Sequence, residues 1–571
     1  MNETLICDYA SGQETNENGN LLGSVAFKPT GTMIIIAAVG IAALLWHNLF
    51  GIMFGGFCLL MDGIIRFKVK DHRVMDVYDD AVIVFDRVDE QKGTRIPLEI
   101  ISQWEVNRNQ NYAITLFLED GVSFSSMSYE VSKAQKLLKK YLKEKVQRIF
   151  RLPKTETGES KKMEITVSKK RITPEGKFLP CYLCGHAIRH EIGKGVMDEL
   201  YTDAMVLKQN DKTLIFASFD LIGMDRDRNE RMRREISEKY NVPFENINIG
   251  FVHTHSAPEY TDHPFFEGQG KAVPGYMDYV EEQIKTAIDE CFKARPVEVK
   301  AYYKNTLIDG FYSNRNGLDK ICDKNITLVS FETEERIVGG FMNFTCHSTV
   351  LGPQNLFVSG DLAGYLNKEV QARWGVAPVT MIGAAGDMSN RQLRQGNDYN
   401  ELKRIGDGIM AQIDANPQHD ELKIEDIIVE KVDYKKSYDL DRSKKEKQIA
   451  EIKKRLENAK TFDETKVYTS ALAAAENSLT HSHGEIDCNS VLYKIGDLCI
   501  CSIPAELFSC FGLEIKEAMH VECPIIWGYS NYSVGYLADI AEYGSSFETA
   551  ASEIPEGTTE EIVSGIVKSL G

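Results

Sequence analysis

The sequence predicts a mixed α/β protein in three parts: a membrane segment, a small unit of strands closed by one helix, and a layered α/β domain over residues 164–571. Three observations carry that prediction. Apolar strand-like runs alternate with amphipathic helical stretches through the long C-terminal part, the pattern of packed α and β layers. An apolar run extends from Met33 to Leu60, and between the two parts short strand-like runs meet at Asp120-Gly121, a strong hairpin signal. Of 571 residues, 43% are hydrophobic and 26% charged, which argues against collagen, whole-chain disorder and a polytopic transporter. A formal net charge of −18 disfavours a nucleic-acid partner. The 12 cysteines are scattered, too sparse for a disulfide scaffold, and read as free thiols in a reducing compartment.

Residues 1–32 form an acidic tail, with Glu3, Asp8, Glu14 and Glu17 against Lys28, and lack the basic start of a secretory signal. Residues 33–61 are read as a transmembrane segment, because the run exceeds the ~20 residues that span a bilayer. One tilted helix or a hairpin turning at Trp46-His47-Asn48 both fit. Arg66, Lys68, Lys70 and Arg73 follow it, so the rest of the chain is expected in the cytoplasm. Residues 66–150 form the small module, with strands at Val74–Asp86, Ile96–Val106, Tyr112–Leu118 and Val122–Met127. A helix from about Glu130 to Phe150 carries Ala134, Leu137 and Leu138 on one face. That architecture looks like bacterial pleckstrin-homology-type modules. Residues 151–163 are a polar linker.

In the C-terminal domain, strands are predicted at Thr213–Phe219, Ile247–Val252, Val297–Tyr303, Ile326–Phe331, Ile337–Phe344 and Pro378–Ile382. Helices are predicted at Arg226–Tyr240, Tyr276–Ala294, Leu362–Trp374 and Leu402–Ala415, and a hairpin at Leu492–Ile503. Lys444–Asn477 reads as a charged helical surface arm near 440–480.

Several segments can carry chemistry. Cys181, Cys184, His186 and His190 have metal-ligand spacing within each pair, but a zinc finger separates its two halves by a dozen or more residues. A structural zinc site, a redox pair and a plain loop all remain readings of it. His253 and His255 share a face at the end of an apolar strand, as ligands or as satisfied core histidines. His347 ends a second strand, and Gly383–Ser389 forms a small-residue turn presenting Asp387 and Ser389, where Gly383 and Gly386 allow close approach to a ligand. Glu506 follows the predicted hairpin, and a tyrosine-rich segment runs from Trp527 to Tyr536.

The order of these segments resembles the neutral/alkaline (non-lysosomal) ceramidase family over roughly residues 165–555. The resemblance implies a Zn2+ site formed by His253, His347, Glu506 and Tyr536, with His255 as a proton-transfer group. It implies that Arg315, of the Asn314-Arg315 pair, binds the amide oxygen or head group, and that Asp387 and Ser389 belong to the catalytic turn, Ser389 contacting substrate. The match departs from the family at Val252, Ala257, Asn390 and Phe547, the last losing a tyrosine hydroxyl, which opens the fine positioning of substrate. The Cys181–Glu191 stretch falls where the family has a substrate-side loop.

The implied function is zinc-dependent hydrolysis of the N-acyl amide of a ceramide-like lipid by a membrane-anchored enzyme. Two imidazoles and a carboxylate are a hydrolytic zinc set, and zinc lowers the pKa of bound water to about 7. The alternatives are hydrolysis of another N-acyl compound and a catalytically silent lipid-binding scaffold. The expected partners are a lipid or N-acyl amide and a membrane; the sequence names no protein partner.

Overall fold

The structure is a computed structural model, and it describes residues 7–10, 21–26, 73–85, 92–106, 113–118, 123–127, 133–134, 137–138, 161–262, 270–479, 483–544, 546–552 and 554–570. The chain divides into two compact units, Met1–Thr157 and Gly158–Gly571.

The smaller unit holds an antiparallel five-stranded sheet in the order Cys7–Ala10, Lys92–Pro97, Ala81–Phe85, Arg73–Tyr78 and Leu21–Ala26. A second sheet contains Ile101–Val106, Ala113–Leu118 and Ser123–Met127, the last two being the hairpin expected at Asp120-Gly121. Val77, Val82, Ile96, Trp104 and Leu116 form its core, and Ala134 and Leu138 pack on it as the helical face predicts. Two expectations change. The stretch 74–86 is two strands, because Asp79-Asp80 turns the chain. The acidic tail contributes both edge strands, which the pleckstrin-homology reading does not contain. The transmembrane reading of 33–61 and most of the helix at 130–150 lie outside the described residues. Among the described residues, no helix is long and apolar enough to cross a membrane.

The larger unit is layered. A nine-stranded sheet runs Ile247–Phe251, Lys212–Phe219, Tyr201–Gln209, Met163–Arg171, Val297–Leu307, Asn325–Glu332, Ile337–Phe344 and Val379–Ile382, with Asp420–Leu422 beside Val297–Leu307. A four-stranded sheet runs Ile428–Asp439, His483–Ile495, Leu498–Ser502 and Cys523–Trp527. Strand side chains alternate between faces, so each sheet feeds two cores. Leu214 and Phe216 face inward with Phe341, Met381, Ile500 and Trp527, which joins the two sheets face to face. Ile215, Ala217 and Phe219 face outward onto the helices Arg226–Tyr240, Tyr276–Lys293, Asp361–Trp374 and Tyr399–Ala415. Cys499 and Cys501 face the helices Ser509–Ala518 and Thr558–Leu570 on the other side. The order of layers is therefore helix, sheet, sheet, helix.

The charged arm is a helical hairpin rather than one helix. Arg442–Glu457 is capped by Asp441, and Phe462–Ser478 starts at a capping box, with Thr461 and Glu464 each satisfying the other's backbone N–H. Ile449, Ile452, Ala471 and Ala475 join Ala550, so the hairpin packs on the domain instead of projecting from it. The cysteines of this unit, Cys181 to Cys523, are all free thiols, as expected.

Candidate active site

Three parallel pairings set the site: Lys212–Phe219 with Ile247–Phe251, Ile337–Phe344 with Val379–Ile382, and Leu498–Ser502 with Cys523–Trp527. The chain leaves their carboxyl ends to place His253, His347, Asp387, Glu506 and Tyr529 together, the end at which α/β sheets bind ligands. Two close backbone approaches shape it. A Cβ on Gly386 would lie 2.4 Å from the Glu506 carbonyl, so this glycine serves the approach of two strand ends rather than that of a ligand. Gly383 likewise approaches the Thr345 hydroxyl.

The histidines are fixed through the same atom. Nδ1 of His253 bonds the Ile222 carbonyl at 2.9 Å, Nδ1 of His255 that of Gly185 at 2.8 Å, and Nδ1 of His347 that of Ala385 at 2.7 Å. A carbonyl only accepts, so each Nδ1 carries the proton and each Nε2 presents a lone pair. One ring nitrogen of each histidine lies within 4.8 Å of those of the others, a grouping able to hold a metal ion. Glu506 Oε2 lies 3.1 Å from His347 Nε2 and 3.4 Å from His253 Nε2. His255 Nε2 is buried without a partner. Burial, then the charge of Arg315, pushes His347 down to about 4, and burial holds His255 well below the usual imidazole range. A carboxylate facing imidazole lone pairs is repulsive unless a cation lies among them. These donors therefore fit a metal ion of the kind bound by histidine and carboxylate, and the carbonyls on Nδ1 are the outer partners such ligands use.

Tyr536 pairs with Glu506 in a short parallel bridge, and its hydroxyl accepts from Arg315 Nη2 at 3.2 Å. The same nitrogen donates to the Gly386 carbonyl at 2.7 Å, while Nε is bonded to Glu548. Glu548 is fully buried and also accepts from Asn316 at 3.1 Å. Burial lifts the Tyr536 hydroxyl above its usual range; burial also opposes the Arg315 charge, but Glu548, Tyr536 and Glu506 together outweigh it and raise the guanidinium above its usual value.

Asp387 is enclosed rather than facing the histidines. It accepts from Asn314 at 2.6 Å and from the Ser509 backbone and hydroxyl at 2.8 and 3.0 Å, pinning the Asn314-Arg315 turn to the start of a helix. Burial raises the Asp387 carboxyl to about 6. Ser389 is buried between site segments: its backbone pairs with Ser313, and its hydroxyl accepts from the Arg391 N–H at 3.2 Å.

The Cys181–His190 loop supplies a wall. Gly185 orients His255, and Arg189 bonds the carbonyls of Cys184 and His255. Its cysteines and histidines form no ligand group; among the described residues only His253, His255 and His347 do. Beside Arg315 lies a cavity of about 810 Å3, lined by Asn316, Phe547 and one face of each hairpin helix, including Lys447, Ile452 and Tyr468. Sequence reasoning missed Glu548 and Tyr529. Glu548 adjoins Phe547, yet nothing in its sequence marks a buried ion pair. Tyr529 lay within the tyrosine-rich segment without a distinguishing pattern.

The fold is similar to that of two solved ceramidase structures. These are a ceramidase complexed with C2, with TM-score 0.55, 14% identity, and 71% of this chain and 74% of that one covered; and the neutral ceramidase from Pseudomonas aeruginosa, with TM-score 0.56, 16% identity, and coverage of 72% and 75%. No protein-family model matches the chain, and no curated protein matches it. At these identities the likeness establishes the fold alone.

Proposed function

We propose that the larger unit is a zinc-dependent amide hydrolase of ceramidase type, cleaving the N-acyl linkage of a lipid to a fatty acid and an amine. The observation that carries the reading is the convergence of histidine Nε2 lone pairs on the part-buried Glu506 carboxylate. His253, His347 and Glu506 would hold the ion, with Tyr536 beside it. Bound zinc would polarise the amide carbonyl and activate water near neutral pH. Arg315, held by Glu548 and Gly386, keeps a positive charge and a donor at the Tyr536 hydroxyl, on the side where oxyanion charge develops. His255 is neutral, with Nε2 unpartnered and Nδ1–H fixed, so it takes a proton and passes it to the leaving amine. Ser389 orients the substrate. A covalent role for it predicts a trapped acyl-enzyme and a dead Ser389→Ala variant, whereas orientation predicts reduced turnover with full metal and no adduct.

The reading includes a membrane-attached enzyme with this unit on the cytoplasmic side, supported by the bases that follow residue 65. A labelling assay that finds residue 162 external would remove that part. A second reading, hydrolysis of an N-acyl compound with a polar head, is favoured by the hairpin, which lines the cavity with Lys444, Lys447, Glu451 and Arg455. Product analysis by mass spectrometry on a panel of N-acyl lipids and N-acyl amino acids, with chelator and after zinc return, tests both. Zinc-dependent release of fatty acid supports the hydrolase, and the preferred amine separates the two readings. No release from any substrate contradicts both.

A further inference from the structure

Tyr529 sits at the carboxyl end of Cys523–Trp527 in a left-handed conformation, with φ of 54°. Its backbone ties two parts of the site together: its N–H donates to the Ala505 carbonyl at 3.2 Å, and its carbonyl accepts from Phe251 at 3.0 Å. The ring is fully buried, 4.4 Å from the His253 ring and 5.9 Å from that of His347. The hydroxyl has no hydrogen-bond partner. The other fully buried tyrosines behave differently. Tyr276 bonds the Ile172 carbonyl at 2.8 Å, Tyr312 that of Lys324 at 2.9 Å, and Tyr493 that of Glu245 at 2.8 Å. A phenol buried without a partner is destabilising, and phenylalanine would fill the same space without that penalty. An unmet donor beside a metal-type cluster is instead explained by a ligand that completes it.

We propose that Tyr529 is a substrate-contacting residue, its hydroxyl donating a hydrogen bond to the acyl oxygen of the amide, and of the carboxylate product, held at the histidine cluster. This rests on the hydrolase reading above and adds a residue to it. An ordinary phenol, with a pKa of about 10, keeps its proton at neutral pH and so is a donor there. The unpartnered O–H is free to donate to an oxygen of a substrate or product held at the cluster.

The test compares the full-length wild type with Tyr529→Phe, using octanoate as a probe for the carboxylate product. Bound zinc, melting temperature without zinc, octanoate affinity by calorimetry and kcat are measured on both. Expected are equal zinc, an equal or higher melting temperature, and octanoate affinity and kcat each lower by about 10-fold or more, as for loss of a hydrogen bond to a charged oxygen. Unchanged octanoate affinity and kcat would overturn the proposal, and so would loss of zinc, which would make Tyr529 a support of the metal site. A wild type that holds zinc but binds no octanoate would also overturn it, leaving the hydrolase reading standing. A wild type without zinc and without hydrolysis would remove the parent reading itself.

Discussion

Two histidine-bearing regions of the larger unit have opposite organisation. Cys181, Cys184, His186 and His190 are close in sequence, yet they form no ligand group. His253, His347 and Glu506 come from three separate strand ends, and their ligand atoms meet. The difference lies in anchoring. In the cluster each Nδ1 is committed to a main-chain carbonyl at a strand end or in the facing loop, so each Nε2 is aimed inward. In the loop the backbone itself makes the contacts: the Cys184 N–H bonds Ala257, the Cys181 carbonyl accepts from Gly193, and His186 reaches the Leu351 carbonyl through Nε2. Metal-ligand spacing matters less than whether rigid elements point the donors at one place.

The largest way to break the contrast is at His347. His347→Ala removes both ring nitrogens, Nε2 beside Glu506 and Nδ1 on the Ala385 carbonyl, and we expect loss of bound zinc and of hydrolysis together, read by metal analysis and product assay. Activity at the wild-type level would end the metal-hydrolase account. Tyr536→Phe keeps the ring and deletes only the oxygen that Arg315 contacts. It should retain zinc and lose at least ~10²-fold in kcat, about 2.7 kcal/mol of transition-state stabilisation.

Gly185→Ala links the two regions. The residue has φ of 97°, and a Cβ there would lie 2.5 Å from His255 Nδ1. Backbone strain of roughly 1–3 kcal/mol should lower the melting temperature, and displacement of His255 should reduce turnover by about 10-fold while zinc remains. Equal turnover would show that the loop does not hold His255 in place. The smallest effect is expected for Cys181→Ser with Cys184→Ser. Bound zinc should stay near that of the wild type and most activity should persist; loss of a metal equivalent would reverse the contrast.

Much of this was legible in the sequence, for physical reasons that differ by element. Arg226–Tyr240 ends where expected because Asn241 takes the left-handed cap, with φ of 52°. Ile337–Phe344 is a largely apolar, buried strand, and His347 lies three residues beyond its end. The break in the charged arm was marked by Thr461 and Glu464, a capping box inside a run whose charge periodicity masked it. The edge strands Cys7–Ala10 and Leu21–Ala26 had no such signal, because their pairing partners lie beyond the apolar run. Glu548 and Tyr529 owe their roles to tertiary burial, one as the counter-charge of Arg315 and the other as an unpaired phenol beside His253, and no local pattern encodes either.

The central claim is that the histidine and glutamate cluster, and not the cysteine loop, is the metal centre. It is tested most directly by zinc stoichiometry after dialysis against equal free zinc, measured on the wild type, His347→Ala and the Cys181→Ser, Cys184→Ser double variant. The account predicts one equivalent in the wild type and the double variant and none in His347→Ala. One equivalent in His347→Ala, with none in the double variant, would contradict it.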